Sequence, residues 1–452
     1  MRVPMDIHLS IAIRVRRAGA WVLLVGLIFA PVAAAQTTDT SSRQRKPETA
    51  REQEEKKKKQ DDDVGFQWKG YPSLHFGKGT HIDLRARVQF DVRDFETPVD
   101  GGDAAESDFA RRRLAWEGEI KGVVAFEIDR ELEGENPWRD VYANYQQFDS
   151  VQVQGGKFKL PFSLDENTSP TNLDFVYRSL AARVLAPGRD RGVMVHGRLL
   201  DRIVRYELGV FDRDGHNARS RNLERVSGDR TLAGRLLVQP FRSSKSVASD
   251  LQAGFAFTSS DVPQGLRSLR GLTTFEETFF DPDLWVQGQR QRSGFELRWR
   301  PGPFSVKSEY IRMTTERRGQ SVEDTDLSPL LATGWYISGT WAVTGEKKAD
   351  GLNKPRRPFM RGGFGAVEVA VRLEELTFSS AATDGIPSTS TRADVVGVSS
   401  DRATTVGASW HLNQWVKIQL NAIKEVVTNP RRGPASPSRS SWSYVTRFQF
   451  TM

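Results

Sequence analysis

Between His81 and Arg93 every second residue is apolar. Ile82, Leu84, Ala86, Val88, Phe90 and Val92 share one parity, and Asp83, Arg85, Arg87, Gln89, Asp91 and Arg93 take the other. A helix would bring together residues three and four apart, so a two-residue period specifies a β-strand with one apolar and one charged face. An antiparallel strand on a soluble core also alternates, but seldom with so full a charge load over this length. A strand of about 9–11 residues crosses a bilayer when one face meets lipid and the other a wet interior. One such stretch does not separate a long sandwich strand from a membrane strand. Recurrence does.

The pattern recurs to the end of the chain. Leu114, Trp116 and Ile120 oppose Arg113, Glu117 and Glu119, while Phe126 and Ile128 alternate with Glu127 and Asp129. Phe295, Leu297 and Trp299 oppose Glu296, Arg298 and Arg300, and Val369, Val371 and Leu373 oppose Glu368, Arg372 and Glu374. Val416, Ile418 and Leu420 oppose Lys417, Gln419 and Asn421, and a final aromatic run ends at Phe450. Gly155-Gly156 suggests a bulge or a turn of register. The spacing predicts an all-β, membrane-spanning, antiparallel up-and-down barrel of about 16 strands. Leu200-Asp201-Arg202 and Pro301-Gly302 read as tight turns. The stretches 215–227, 261–283, 317–331 and 381–400 read as long outer loops. Trp116, Trp285, Trp335, Trp341, Trp410, Trp415 and Trp442 fall near strand ends, where interfacial girdles form.

Composition agrees. An apolar fraction of 38% and a mean hydropathy of −0.50 would be odd for a bundle of membrane helices, but they suit a barrel in which half of each strand meets water. The absence of cysteine excludes a disulfide framework, thiolate metal sites and cysteine nucleophiles.

At the N-terminus, Arg14, Arg16 and Arg17 precede the apolar run 18–30, and Ala33-Ala34-Ala35 forms a small-x-small site before Gln36. Residues 1–35 therefore read as a cleaved secretory signal, the run being short for a helical span of about 20 residues and interrupted at Pro31. Residues 36–69 read as a charged, low-complexity periplasmic tail, with 70–452 as the barrel domain. In the tail, Glu54-Glu55 and Asp61–Asp63 flank Lys56–Lys59, so the acids cancel the basic run and no nucleic-acid partner is expected. Apolar heptads for a coiled coil are missing.

The segment Pro161 to Arg191 breaks the rhythm. It carries Pro161, Pro170 and Pro187 among the charges Asp165, Glu166, Arg178, Arg183, Arg189, Asp190 and Arg191. It is long for an idle connector and reads either as a loop folded into the lumen or as an ordinary external loop.

Several motifs resemble the phosphate-selective porin O and P family of bacterial outer-membrane porins. The most specific is Gly155–Leu164, continuing to Thr168-Ser169 and Tyr177-Arg178-Ser179. Asp108–Leu114, Gly334–Tyr336 with Thr344–Glu346, Arg361–Glu368 and Thr405–Asn413 are similar to further family segments. The chain departs from the family pattern at Phe364, where Trp is usual, and at its end, where Thr451-Met452 follows Phe450. The resemblance implies a 16-stranded, trimeric outer-membrane barrel with a loop constricting the pore and basic side chains guiding anions.

On that reading the pore-lining candidates are Arg85, Arg87, Arg93, Arg113, Arg298 and Arg372, with Lys157, Lys159, Arg178 and Arg183 at or near the constriction loop. Guanidinium groups offer paired donors to phosphate or carboxylate oxygens, and rings of them select anions. Glu117, Glu119, Glu127, Asp129, Glu296, Glu368 and Glu374 share the same face and oppose that selectivity. A passive channel for phosphate, polyphosphate or other small anions is expected in the outer membrane of a Gram-negative bacterium. The barrel-assembly machinery, outer-membrane lipid and two further copies of the chain are its expected partners. A weakly selective general porin remains an alternative, as do a hydrolase and a structural barrel. His81, His196 and His411 are scattered, without a nucleophile motif or metal-ligand spacing, so no catalytic residue, cofactor or metal is expected.

Overall fold

In hydrocarbon an open sheet edge would leave backbone N–H and C=O groups unpaired, so alternating strands of this length must close into a barrel. The computed structural model describes residues 64–99, 101–134, 137–216, 230–267, 270–349, 354–429 and 438–452. The expected signal 1–35 and the tail up to residue 63 lie outside the described residues. A hairpin of β1 (Val64–Trp68) and β2 (Pro72–Gly77) leads into the wall. The wall begins with β3 (Thr80–Glu96), β4 (Asp103–Ile120), β5 (Val124–Glu131), β6 (Trp138–Tyr145), β7 (Gln152–Lys159), β8 (Arg189–Leu199), β9 (Val204–Phe211), β10 (Thr231–Val238) and β11 (Gln252–Arg267). After a small hairpin, β12 (Gly271–Leu272) and β13 (Thr278–Phe280), it continues with β14 (Leu284–Trp299), β15 (Phe304–Arg317), β16 (Leu327–Ala342), β17 (Ala366–Ser380), β18 (Ser399–His411), β19 (Val416–Thr428) and β20 (Arg439–Thr451). Each wall strand pairs antiparallel with the next. β20 returns to β3, with Ser443 opposite Phe95 and Thr451 opposite Arg87, which closes a 16-stranded barrel.

The expected tail boundary is corrected. Val64, Phe66 and Trp68 already alternate in β1, and Leu74 of β2 lies opposite Ile82 of β3, so strand structure starts before residue 70. That run is short and follows a dense charge cluster, which hid its period. The expected bulge at Gly155-Gly156 is absent, since both glycines pair in register with β6 and β8. Instead, a Cβ on Gly156 (φ 135°) would stand 2.3 Å from the Val141 carbonyl oxygen, so the glycine permits a close approach. A bulge does occur in β4. Arg111 faces Gln89 while Phe109 faces Phe90, leaving Ala110 unpaired. It keeps Arg111 and Arg113 on the lumen parity and turns Phe109 outward against Phe90, with ring centroids 5.2 Å apart.

Both barrel termini lie at the end with the shorter connections, periplasmic in barrels of this kind. Two of the outer loops are narrower than expected, because Asp261 still belongs to β11 and Leu327–Leu331 to β16, whereas the connection expected at 215–227 spans 212–230. Two periplasmic connections, 239–251 and 343–365, are longer than the expected tight turns.

The segment 160–188 folds into the lumen, as the inward-loop reading anticipates. It contains α1 (Leu164–Asn167) and α2 (Leu180–Leu185). Short helices leave N–H donors unsatisfied at their starts, and wall carboxylates accept them here. Glu309 of β15 accepts from Leu164 and Asp165 N–H at 2.7 and 2.8 Å, and Glu374 of β17 accepts from Leu180 N–H at 2.6 Å. The loop's Phe162, Val176, Leu180, Val184 and Leu185 bury against Ile311, Met313, Leu376, Phe378, Ile423 and Val427 of the wall. One side of the barrel interior is thus a packed apolar core. Gly334 makes room for it, since a Cβ there would stand 2.7 Å from the Ala181 Cβ.

Candidate permeation pathway

The inserted loop leaves space elsewhere in the barrel. Ser169, near its tip, borders three cavities of about 610, 340 and 260 Å³. The largest runs beneath the loop to the periplasmic connections. Arg198, Arg202, Arg205, Arg235, Arg242, Arg298, Arg300, Lys307 and Lys348 line it, and Asp174 is its sole carboxylate. Asp149, Glu207, Asp250, Glu296 and Glu368 pair with some of these cations from behind. Among the described residues, nine lining cations thus face six carboxylates. Each guanidinium also has more donors than one carboxylate occupies. Arg235, for example, is bidentate on Glu296 through Nε and Nη2, while its Nη1 is 3.6 Å from Glu207.

The second cavity lies along β3 to β9 and is balanced. Arg87, Lys159, Arg189 and Arg205 face Glu117, Glu127, Asp140 and Glu207. Glu127, Asp129 and Asp140 have carboxylate oxygens within 4.8 Å of one another, a spacing that suits a cation. Arginines serve that cluster, with Arg87 3.3 Å from Asp129 and Arg189 2.6 Å from Asp140. The third cavity, near Tyr71 and Trp415, contains Arg85, whose guanidinium carbon sits 3.4 Å from the Tyr71 ring centroid.

Asp174 ties the loop to the largest cavity. It accepts from Lys307 at 2.7 Å and from Lys348 at 3.2 Å. Burial pushes its carboxyl up, but the two ammonium groups outweigh that and hold it well below the usual carboxylate range.

The expected site residues separate into distinct roles. Arg85 pairs with Glu117 at 3.3 Å, Arg87 with Glu117 at 3.1 Å, Arg93 with Asp108 at 2.6 Å and Arg113 with Glu131 at 2.6 Å. Arg298 lines the large cavity and donates to Gln252 at 2.9 Å. Arg372 instead grips the loop, donating to the Tyr177 carbonyl at 3.0 Å while pairing with Glu374. Arg178 holds the carbonyls of Asp165 and Thr168 at 2.6 and 2.8 Å, and Arg183 holds those of Thr273 and Thr274. Lys159 reaches inward to the Glu166 carbonyl. Lys157 is corrected. It shares the outward parity of Val153, lies opposite outward-facing Arg191, and donates to the Trp138 carbonyl at 2.7 Å. Its alternation with Phe158, which packs inside against Phe211, carried that information.

Sequence reasoning missed Arg205 and Arg235, which a count of the polar parity in β9 and β10 would have found. It also missed Arg198, which shares the parity of Met194 and His196 in β8, and Arg202 and Arg242, whose placement follows from turn geometry rather than strand phase.

The sequence matches the profile of the phosphate-selective porin O and P family over residues 82–258 and 266–452. The chain belongs to this family. Over 405 residues it is 27% identical to Porin O of Pseudomonas aeruginosa, covering 81% of this chain and 87% of that one. Its fold is similar to that of OmpT of Vibrio cholerae (TM-score 0.52, 8% identity, 83% and 98% coverage). It is also similar to the outer-membrane channel DcaP of Acinetobacter baumannii (TM-score 0.52, 9% identity, 86% and 100% coverage). As a member of the porin O and P family the chain is an outer-membrane porin that forms a channel.

Proposed function

We propose that this porin passes small anions, phosphate and polyphosphate among them, by diffusion, and that the large basic cavity beneath the inserted loop supplies the preference. The observation that carries this reading is the cavity's excess of cations over carboxylates, paired carboxylates included. In a narrow water-filled space with low-dielectric walls, such an excess raises the local concentration of anions. Relatedness to Porin O supports the same direction. The balanced cavity along β3 to β9 favours a second reading, a weakly selective general porin. Three copies would assemble side by side through the barrel wall, as in the trimer form of Vibrio cholerae OmpT, whose fold is similar (TM-score 0.50, 9% identity). An export signal at 1–35 would deliver the chain to the periplasm.

Single-channel recording in a planar bilayer tests the proposal. A reversal potential favouring chloride in a salt gradient, with phosphate reducing the chloride current, is the expected result. A potential near zero, with no effect of phosphate, would replace it with the general-porin reading.

A further inference from the structure

The connection 343–365 is far longer than two adjacent antiparallel strands require. Its first part serves the lumen through Lys348. Its second part turns the other way. Phe359 N–H donates to the Leu412 carbonyl at 2.8 Å, and a 3₁₀ turn, Phe359–Arg361, follows. The rings of Phe359 and Phe364 pack on Trp410 at 5.5 and 5.2 Å, and Trp410 Nε1 donates to the Phe364 carbonyl at 2.7 Å. Trp410 shares the outward parity of Val406 and Ala408 in β18, so this segment rests on the lipid-facing rim and not across the pore. Packing leaves much apolar surface uncovered: Met360 is 83% exposed, Phe364 56% and Phe359 48%. Arg357 and Arg361 are exposed beside them, and among the described residues neither has a carboxylate within ion-pair distance.

An apolar tip flanked by unpaired arginines at the membrane boundary matches an amphipathic segment that lies in the interface. Hydrocarbon satisfies the tip, and an anionic headgroup satisfies the arginines. We propose that Arg357 and Arg361 bind the headgroup of an anionic phospholipid in the periplasmic leaflet, with Phe359 and Met360 lying against its upper methylenes. The site stands outside the lumen and is independent of what the channel passes.

The test is native mass spectrometry of the full folded chain in neutral detergent, titrated with phosphatidylglycerol, with phosphatidylcholine of the same chain length, and with inorganic phosphate. The wild type should retain phosphatidylglycerol over phosphatidylcholine. The double variant R357Q/R361Q should weaken that retention about thirtyfold, the loss for two arginines at an anionic surface. Met360→Ser should weaken it less, and K78Q/K121Q, the same charge removed from other periplasmic turns, should leave it unchanged. Equal retention by R357Q/R361Q, or equal binding of phosphatidylcholine, would overturn the proposal. So would full displacement of the lipid by inorganic phosphate, which would leave a free-anion site. A fall in oligomeric mass in R357Q/R361Q would likewise overturn it, by making the segment a contact between copies.

Discussion

The lumen wall has two arcs with similar residues and different arithmetic. Along β3 to β6, Arg85, Arg87, Arg93 and Arg113 stand on strand positions that point inward, and each has a carboxylate within 3.3 Å. Beneath the loop, along β8 to β11, β14 and β15, the cations outnumber the carboxylates, and several come from turns. The first arc is a lattice of mutual neutralisation, the second a reservoir of net charge. An arginine's position on the lumen face therefore does not make it a selectivity residue; what matters is whether its charge is already balanced. Where such a pair is buried, as between Arg113 and Glu131, removing one partner leaves the other desolvated and uncompensated.

Arg113→Ala gives the largest expected effect. Arg113 is 6% exposed and bonds Glu131 at 2.6 Å, with Asp129 at 3.8 Å. Truncation leaves both carboxylates without this partner, at a cost of about 3–5 kcal/mol in stability. Thermal unfolding followed by heat-modifiable gel migration should show an earlier transition, while the reversal potential of the surviving channels stays near the wild-type value. A strong loss of anion preference without destabilisation would erase the distinction between the arcs.

The reverse pattern is expected beneath the loop. In the triple variant R198Q/R242Q/R298Q, Arg198 and Arg298 lie at the periplasmic ends of β8 and β14 and Arg242 lies in a turn, so stability should change little. The anion-to-cation permeability ratio should fall roughly fivefold, equivalent to about 1 kcal/mol of lost attraction for an ion in aqueous surroundings. Reversal potentials measured at two salt concentrations check this, because screening should shrink the effect at the higher one. An unchanged ratio would locate selectivity elsewhere.

These two arcs also mark what the chain reveals before folding. The barrel was legible because a two-residue period repeated over many strands has few other physical solutions, and the inserted loop was legible because prolines and charges broke that period. Arg87 and Arg113 could be assigned to the lumen face from parity alone. Their pairing could not, because Glu117 and Glu131 lie on neighbouring strands whose register parity does not specify. Lys157 was misplaced because it was read with the loop rather than by its alternation with Phe158. Arg202 and Arg242 sit in connections, where no strand phase predicts which way a side chain points. Arg178, Arg183 and Arg372 looked like charges for ions, yet they satisfy carbonyl groups of chain that is not in strands, a demand set only once the loop is folded into the barrel.

The smallest expected effect tests the joint between loop and basic arc. Asp174 is held ionised by Lys307 and Lys348, so its native carboxyl titrates below the unfolded value of about 4. A depressed pKa contributes stability that is fully present above the unfolded value and is lost as pH falls through the native one. Open-channel current noise, a measure of loop motion, should therefore stay flat in the wild type from pH 8 to about 5. Asp174→Asn should raise that noise at every pH in this range, because the amide carries no charge for either ammonium. It should also increase anion preference slightly, since the large cavity loses its only lining carboxylate. A wild-type transition near pH 6 would assign the tether to another group. Unchanged noise in Asp174→Asn would mean that the apolar packing of Phe162, Leu180 and Leu185 fixes the loop alone, and that the basic arc and the constriction act separately.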